Sequence, residues 1–438
     1  MKRVLFATFL SVLVLAFAGC GGSGNMPVQT TGTAATLQVG DATNDQVAKF
    51  ELTITSITLT GVSPTANTGN LLSEPAEIEF SHLAGTLEPF SLGHIPPGTY
   101  SGATMMVSNP ELVVVNAGVI SKPSISLTSS TINISFSSNI TVTSTPLFLN
   151  FDLDLTKSID LTKSPVAITP TFTVTTSTVP ANRDGEGEDD GEEDDAHGTV
   201  QSVSAPNFTI TTEEGMTVTF ATDSNTMFSE GLTQLSDLHV GDVVEVDAVT
   251  KSDGTKLATR VARDEDHMGE EVEGLISNMD SPLTTITIVH QVDSMNSSTP
   301  PTTVSVSVNA NTQFMVHPDR LFMTAPAFDA THIGKGQRIE ADSSTTASPL
   351  VATKVKLREQ ALVGTVSNAS STGFTLTPSP TSAFATLSGA TSVAVTFASG
   401  ANEVTVPANG STIRVRGLVF VNGTAYSMIA ARSDNNND

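Results

Sequence analysis

The densest group of potential metal ligands in the sequence is the acidic run RDGEGEDDGEEDDAHG at residues 183–198, which holds nine carboxylates and one arginine. The twelve-residue EF-hand loop can be aligned with Glu186 at its first position. Glu188 and Asp190 then fall at the third and fifth positions, where calcium also takes oxygen ligands. The twelfth position falls on His197, where a bidentate glutamate is needed, and no helix pattern flanks the run. A calcium site at these three carboxylates is one interpretation, and a solvated spacer is the other.

Motifs for other chemistry are absent from the sequence. Its eight histidines form no HExxH or HxH pair, and the single cysteine offers no partner for a Cys/His zinc site. The sequence also lacks the GxSxG and GxxxxGK[ST] motifs. We therefore predict no catalytic residue, no cofactor and no enzyme. A site in the N-terminal region, with His82 or His94 beside a carboxylate, remains the enzymatic alternative.

The composition favours strands and excludes one class of partner. Ser, Thr, Val and Ala are abundant, tryptophan is absent, and many Gly and Pro residues punctuate the chain, as in all-β proteins. The formal net charge is −25, with only 20 Lys and Arg residues. Binding to nucleic acid needs clustered basic residues, so we predict no nucleic-acid partner.

The N-terminal segment MKRVLFATFLSVLVLAFAGC has the pattern of a secretory signal. Two basic residues precede sixteen apolar or small ones, which is short for a membrane span. Residues 1–19 are therefore predicted to be a signal peptide. Residues 20–35, rich in Gly and Thr, are predicted to be a tether.

The end of this segment, FAGC, resembles the lipobox of bacterial lipoproteins. The resemblance implies that Cys20 is lipidated and holds the protein to a membrane. The expected location is the outer membrane or the cell surface. Phe17 departs from the leucine that the family prefers. Cleavage after Ala18, at an A-x-A pattern, is the alternative and would release a periplasmic or secreted protein.

Residues 36–180 are predicted to form a β-sandwich, because short alternating Ser/Thr and apolar stretches follow one another between turn signals. Between Phe50 and Leu59 the apolar positions change face near Ser56. The stretches LQVGDAT…VAKFELTITSITLTGV and IPPGTY resemble an uncharacterised family of exported bacterial domains, the domain of unknown function 4382 type. That family has no established activity.

The remainder of the chain repeats itself. GTVQSVSAPNFTIT is matched by GTVSNASSTGFTLT, NTMF by NTQF, HVGDVVEVDA by HIGKGQRIEA, and ATRV by ATKV. We predict copies at residues 198–263, 273–359 and 361–432, the third being degenerate, followed by a polar tail at 433–438. The histidines at 239 and 332 occupy equivalent positions and are interpreted as turn residues rather than ligand contacts.

Each copy is predicted to contain five strands, with a long connection between the third and the fourth. In the first copy these strands are placed at about 198–204, 207–213, 216–222, 242–250 and 256–263. This order resembles a small barrel of the OB type, and an open sheet is the alternative. The recurring phenylalanines at 208, 228, 314 and 374 are interpreted as core residues. The repeat resembles a second bacterial family, the domain of unknown function 5666 type, which supplies no known catalytic residues.

Acidic segments at 181–197 and 264–272 separate the modules and are predicted to be linkers. The second lies in RDEDHMGEEVEG, residues 263–274, which has six acids and one arginine. Like charges keep such segments extended and solvated. Their position at module boundaries favours the spacer interpretation over the calcium interpretation.

Together these features predict an exported, lipid-anchored, all-β protein of the bacterial cell envelope. We expect it to act as a binding or structural protein, with the membrane and an envelope protein or glycan as partners. A secreted calcium- or glycan-binding adhesin-like protein is the first alternative, and an enzyme with an unrecognised N-terminal site is the second.

Overall fold

The computed structural model confirms an all-β protein in which a sandwich precedes three small barrels. The described residues are 27–42, 45–83, 87–178, 194–212, 217–229, 232–251, 255–263, 271–293, 301–317, 326–343, 345, 350–399 and 406–435. Within these residues, none of the helices has the length and apolar character needed to cross a membrane.

The sandwich contains twelve strands and one short helix, α1 (Leu155–Ser158). The strands are β1 (Thr33–Ala42), β2 (Val47–Gly61), β3 (Ala76–Glu79), β4 (Leu87–Ile95), β5 (Gly98–Asn116), β6 (Val119–Ser121), β7 (Ile125–Leu127), β8 (Thr131–Val142), β9 (Leu147–Asp154), β10 (Ile159–Asp160), β11 (Val166–Ile168) and β12 (Phe172–Thr178). One sheet has the order β12-β9-β1-β4, and another has the order β3-β2-β5-β6 with β8 also paired to β5. A small third sheet has the order β10-β11-β7.

A single apolar core lies between the sheets. Leu37 and Phe151 from the first sheet and Ile54 and Met105 from the second are all fully buried in it. The pairing of β2 with β5 shifts register between Ile54 and Ser56. The bulge shifts the alternation by one residue, so that Ile54 before it and Ile57 after it both face the core, and the change in alternation predicted near Ser56 is confirmed.

The first barrel is built from six strands and a 3-10 turn at Leu235–Asp237. The strands are β13 (Asp194–Ser204), β14 (Asn207–Thr212), β15 (Thr217–Ala221), β16 (Met227–Ser229), β17 (Val243–Thr250) and β18 (Lys256–Arg263). Five of them follow the order β15-β14-β13-β17-β18, and parallel pairing of β15 with β18 closes the ring. The short β16 adds to β18 in parallel. Closure decides between the two sequence alternatives in favour of a barrel.

The second and third barrels repeat this topology. Their strands are β19 (Glu271–Met279), β20 (Thr285–Asp293), β21 (Thr303–Ser307), β22 (Gln313–Val316), β23 (Arg338–Ser343) and β24 (Leu350–Leu357), then β25 (Gln360–Ser370), β26 (Gly373–Pro378), β27 (Val393–Phe397), β28 (Thr412–Asn422) and β29 (Ala425–Asn435). The pairs β21–β24 and β27–β29 are parallel and close the two rings. The third barrel also carries helix α2 (Ala383–Ser388) between its second and third strands.

The glycines that open the second and third repeats are required by close strand packing. A Cβ at Gly274, whose φ is +158°, would lie 1.8 Å from the carbonyl oxygen of Val289, and one at Gly364 would lie 2.3 Å from that of Thr377. Any side chain there would push the first strand away from the second. The glycines at these two positions therefore allow the first two strands of each barrel to pair closely.

The repeated phenylalanines fill the barrel interiors, as predicted. Phe208 and Phe374 are buried, and Phe228 and Phe314 are partly buried against the cores of the first and second barrels. Burial of one such side chain contributes about 1.5–3 kcal/mol. These positions therefore stabilise the fold, and stacking on a ligand is not needed to explain their recurrence.

The second barrel, the third barrel and the sandwich share apolar surfaces. The core of the second barrel includes Leu418 and Phe420 from the third. A further buried cluster joins Val113 of the sandwich, Val289 of the second barrel and Leu387 of α2. These three modules therefore pack against one another through apolar contacts.

Candidate functional site

The most chemically distinctive group of residues lies where the first barrel meets the second, and we call it the charged joint. It comprises Glu245, Asp247 and Arg260 of the first barrel and Glu271, Glu273, His317, Arg338, Glu340, Asp342, Lys356 and Arg358 of the second. Five of these residues are buried and the other six are half-buried.

Strand register assembles the second barrel's part of the joint. Glu271 lies opposite Asp342, and Glu273 lies opposite Glu340, in the pairing of β19 with β23. Glu340 in turn lies opposite Lys356 on β24. Directly opposed residues point to the same face of a sheet, and like charges so placed repel each other. Four carboxylates are thus aligned in two rows that need cations beside them.

Lys356 and Arg358 supply much of the required positive charge. Lys356 Nζ lies 2.5 Å from Glu340 Oε1 and 3.0 Å from Asp342 Oδ2. Arg358 lies 3.2 Å from Glu340 and 3.5 Å from Glu273, and Arg338 also pairs with Glu273. Glu340 therefore pairs with two cations, whereas Asp342 pairs with one cation through one of its oxygens.

The pKa values of the carboxylates follow from this arrangement. Burial alone would raise the pKa of Glu340, but attraction to Arg358 and Lys356 outweighs burial and holds that pKa below its usual range. Burial, together with repulsion from Glu340, raises the pKa of Glu271 to about 8 and that of Asp342 to about 7. Near neutral pH these three residues therefore comprise one firmly ionised carboxylate, Glu340, and two that retain protons readily.

The first barrel contributes a smaller ion-pair group to the joint. Arg260, which is 5% exposed, donates to Glu245 and Asp247, each at 3.1 Å. His317 Nε2 of the second barrel lies 3.7 Å from Glu245 Oε1 and 4.0 Å from Glu340 Oε2. Burial and the nearby Arg358 lower the pKa of His317 to about 3, so this imidazole is neutral where the barrels meet.

Three carboxylates of the joint converge closely enough to share a cation. One oxygen from each of Glu271, Glu340 and Asp342 lies within 4.8 Å of the others. Hard divalent cations such as calcium prefer oxygen ligands of this kind. This grouping was missed from the sequence, although alternating acids recur in VEVDA and RIEADS. The sequence predicts Glu271 in a linker, whereas β19 begins at that residue.

A second polar group lies in the sandwich, at the turn after β3. His82 Nδ1 lies 3.0 Å from Glu79 Oε2, so a histidine of the enzymatic alternative does lie beside a carboxylate. Glu79 also accepts from the backbone N–H groups of Phe50 and Ser81, at 2.8 and 3.0 Å. Arg416 of the third barrel donates to the carbonyl oxygen of His82 at 3.0 Å. These bonds make Glu79 the acceptor that organises a turn and a contact between modules.

The other sequence candidates are dispersed. His94 is exposed on β4, while His239 and His332 make local contacts with Asp242 and Asp329, three residues away in sequence. The latter two therefore act as turn residues, as interpreted. Cys20 and the calcium candidates at positions 186, 188 and 190 lie outside the described residues.

Comparison with known proteins finds one family that matches part of the chain. Residues 197–262, which include most of the first barrel, match the family described as a domain of unknown function, DUF5666. None of the curated proteins matches the chain. A similar solved structure is that of a multidomain protein with nucleic acid binding domains from Streptococcus pneumoniae TIGR4, at 12% identity and a TM-score of 0.13, covering 54% of this chain and 72% of that one.

Proposed function

We propose that this chain is an exported, lipid-anchored protein of the bacterial cell envelope that acts in binding or structure rather than in catalysis. The N-terminal residues support export and membrane anchoring, because a basic start, a short apolar stretch and FAGC precede the first module. The lipid on Cys20 would hold the modules at a membrane, on the outer membrane or cell surface.

The use of polar groups between modules is the observation that carries the non-catalytic part of the proposal. Glu79 organises a turn, Arg416 joins the third barrel to the sandwich, and Arg260 neutralises two carboxylates beside the second barrel. Gln291 likewise donates from the second barrel to the carbonyl oxygen of Ala48 at 2.6 Å. The polar side chains best suited to chemistry thus serve to join modules, as expected of a structural protein.

An envelope glycan or protein is the partner class that the surface favours. Hydroxyl groups face outward from the barrel strands, as in the exposed pair Thr209 and Thr219, whose oxygens lie 2.9 Å apart. Rows of hydroxyls can both donate to and accept from sugar hydroxyls or backbone groups. The net charge of −25 disfavours a nucleic-acid partner.

Membrane fractionation tests the anchor. We expect the full chain expressed in a bacterial host to sediment with membranes and to carry a lipid mass on its N-terminal peptide. Cys20→Ala should move the protein to the soluble or secreted fraction, whereas the matched control Ser23→Ala should leave it with membranes. A Cys20→Ala protein that still sediments with membranes would contradict lipid anchoring.

Cross-linking in intact cells tests the binding role. We expect the wild-type protein to form discrete cross-linked species with an envelope protein, or to co-purify with a defined envelope polysaccharide. The Cys20→Ala protein, released from the membrane, is the control and should lose these species. Turnover of an envelope substrate by the purified protein, abolished by His82→Ala, would instead support the enzymatic alternative.

A further inference from the structure

We propose that Glu271, Glu340 and Asp342 form a binding site for a divalent metal cation of the calcium type, at the surface where the first two barrels meet. The site is distinct from the acidic run at 183–198 and does not depend on membrane anchoring. It follows from the placement of three strand residues, two on β23 and one at the start of β19.

The spacing of the ligand atoms fits such an ion. The three carboxylates each place an oxygen within 4.8 Å of the other two. Calcium–oxygen bonds are about 2.3–2.6 Å long, so oxygens on opposite sides of one ion are separated by about 4.6–5.2 Å. One calcium ion can therefore contact all three carboxylates with small side-chain adjustments.

Asp342 provides a second, independent indication of a missing ligand. Its side chain is 4% exposed, and among the described residues no donor hydrogen-bonds to its Oδ1. Its Oδ2 forms an ion pair with Lys356 at 3.0 Å, and the carboxyl group also lies beside the like-charged Glu340. A buried carboxylate oxygen without a partner is costly, and a cation at this position would remove that cost.

The charges around the triad leave room for two further positive charges. Lys356 is the cation between Glu340 and Asp342, and once all three carboxylates are ionised they exceed its charge by two. Near neutral pH protons on Glu271 and Asp342 offset that excess, and an entering divalent ion replaces them. Arg358 is shared between Glu340 and Glu273. Lys354 lies opposite Asp342 on β24 and makes other interactions as well. A divalent ion supplies the required charge at a single point.

Lys356 need not exclude the ion. Its side chain is 18% exposed, and its four-carbon stem allows the ammonium group to turn outward when a metal enters. Lys356 is therefore a competitor for the same oxygens, and its removal should strengthen metal binding. If the three carboxylates formed only structural ion pairs, removal of Lys356 would produce no gain in metal affinity.

Calorimetric titration of the purified, chelator-treated full chain with Ca²⁺ at pH 7.5 tests the proposal. We expect one saturable site. Asp342→Asn should weaken binding at least tenfold, and Glu271→Gln, at a more exposed position, should weaken it several-fold. Lys356→Met should tighten binding at least threefold. Circular dichroism identifies any variant that fails to fold, and if Asp342→Asn does, the Glu271→Gln result decides.

The triple variant Glu186→Gln, Glu188→Gln and Asp190→Asn is the matched control, because it removes three carboxylates from the acidic run and none from the joint. Its affinity should equal that of the wild type. The proposal is overturned by an absence of saturable binding in the wild type. Binding that is lost in the triple variant but retained in Asp342→Asn and Glu271→Gln also overturns it.

Discussion

The second barrel meets its two neighbouring barrels through surfaces of opposite character. Toward the third barrel it is mainly apolar, with uncharged hydrogen bonds such as that from Gln337 to the carbonyl oxygen of Val419. Phe328 packs edge-on against Phe420 with ring centroids 6.4 Å apart, and Leu418 enters the same core. Toward the first barrel it presents the charged joint, where Arg358 and His317 approach Glu245 and Asp247. One topology thus supports two kinds of contact.

The difference shows that a module boundary can be made permanent or conditional by the side chains on one face. Apolar burial contributes free energy at every pH and salt concentration at which the protein is folded. Buried charges contribute only while their partners keep the complementary ionisation state. The contact with the first barrel should therefore respond to protons and cations, and the contact with the third should not.

The largest expected effect is on the apolar side. Phe420→Ala should lower the free energy of unfolding by about 3–5 kcal/mol, because it removes a buried ring shared by two barrels. The loss should be the same at pH 5 and pH 8, measured by urea denaturation. Val406→Ala, at an exposed position, is the control. A loss that varied strongly with pH would contradict the assignment of this surface as apolar.

On the charged side, Lys356→Met should cost about 3 kcal/mol at pH 8, because it leaves Glu340 and Asp342 buried without their shared cation. At pH 5 the cost should shrink, since Asp342 can then take up a proton. Urea denaturation at both pH values, without divalent ions, measures the difference. An equal cost at both pH values would show that the lysine contributes packing rather than charge.

Glu271→Gln should raise the free energy of unfolding at pH 8 by about 1.4 kcal/mol or more. A shift of one pKa unit corresponds to about 1.4 kcal/mol, and folding raises the pKa of Glu271 by more than one unit. The pKa of Glu271 is about 8 in the folded protein, above its ordinary 4.5, so the folded state binds the proton more tightly. Stability from this group is complete below about pH 4.5 and is lost as pH rises toward 8.

The wild type should therefore lose stability between these pH values more steeply than Glu271→Gln, in the absence of divalent ions. Chemical denaturation at half-unit pH steps tests this expectation. Glu74→Gln, at an exposed glutamate, is the control and should follow the wild-type curve. Parallel curves for the wild type and Glu271→Gln would refute the raised pKa.

The smallest effect concerns the apolar cluster beneath α2. Ser382 Oγ accepts a hydrogen bond from the N–H of Ala385 at 3.1 Å and caps the helix. Ser382→Ala should cost about 1 kcal/mol. Thermal unfolding should show the loss equally at pH 5 and pH 8, with Ser392→Ala as an exposed control. If Ser382→Ala cost no more than the control, the capping hydrogen bond would contribute nothing, and α2 would be stabilised by its packing alone.

Much of the architecture could be predicted from sequence because it depends on local patterns. Alternation along β2 and its interruption near Ser56 predicted both faces of that strand. The recurring glycines and phenylalanines predicted five-stranded repeats with filled interiors. Closure was left open, since the parallel pairing of the third strand with the fifth joins residues far apart in sequence.

The charged joint could not be predicted for the same reason. Glu271 lies within the acidic run at 263–274, whose composition is typical of a solvated linker. Asp342 is 71 positions later and has an ordinary strand context. Only the register of β19 against β23 brings their carboxylates together.

The sequence by itself determined the all-β class, the tandem repeat and the positions that fill each core, because periodicity and volume act over a few residues. Tertiary structure alone decided that the repeats close into barrels and that one face of the second barrel collects carboxylates while the other buries phenylalanines. These outcomes depend on register and on contacts between modules, where desolvation changes the pKa of a carboxylate that would remain ordinary in water.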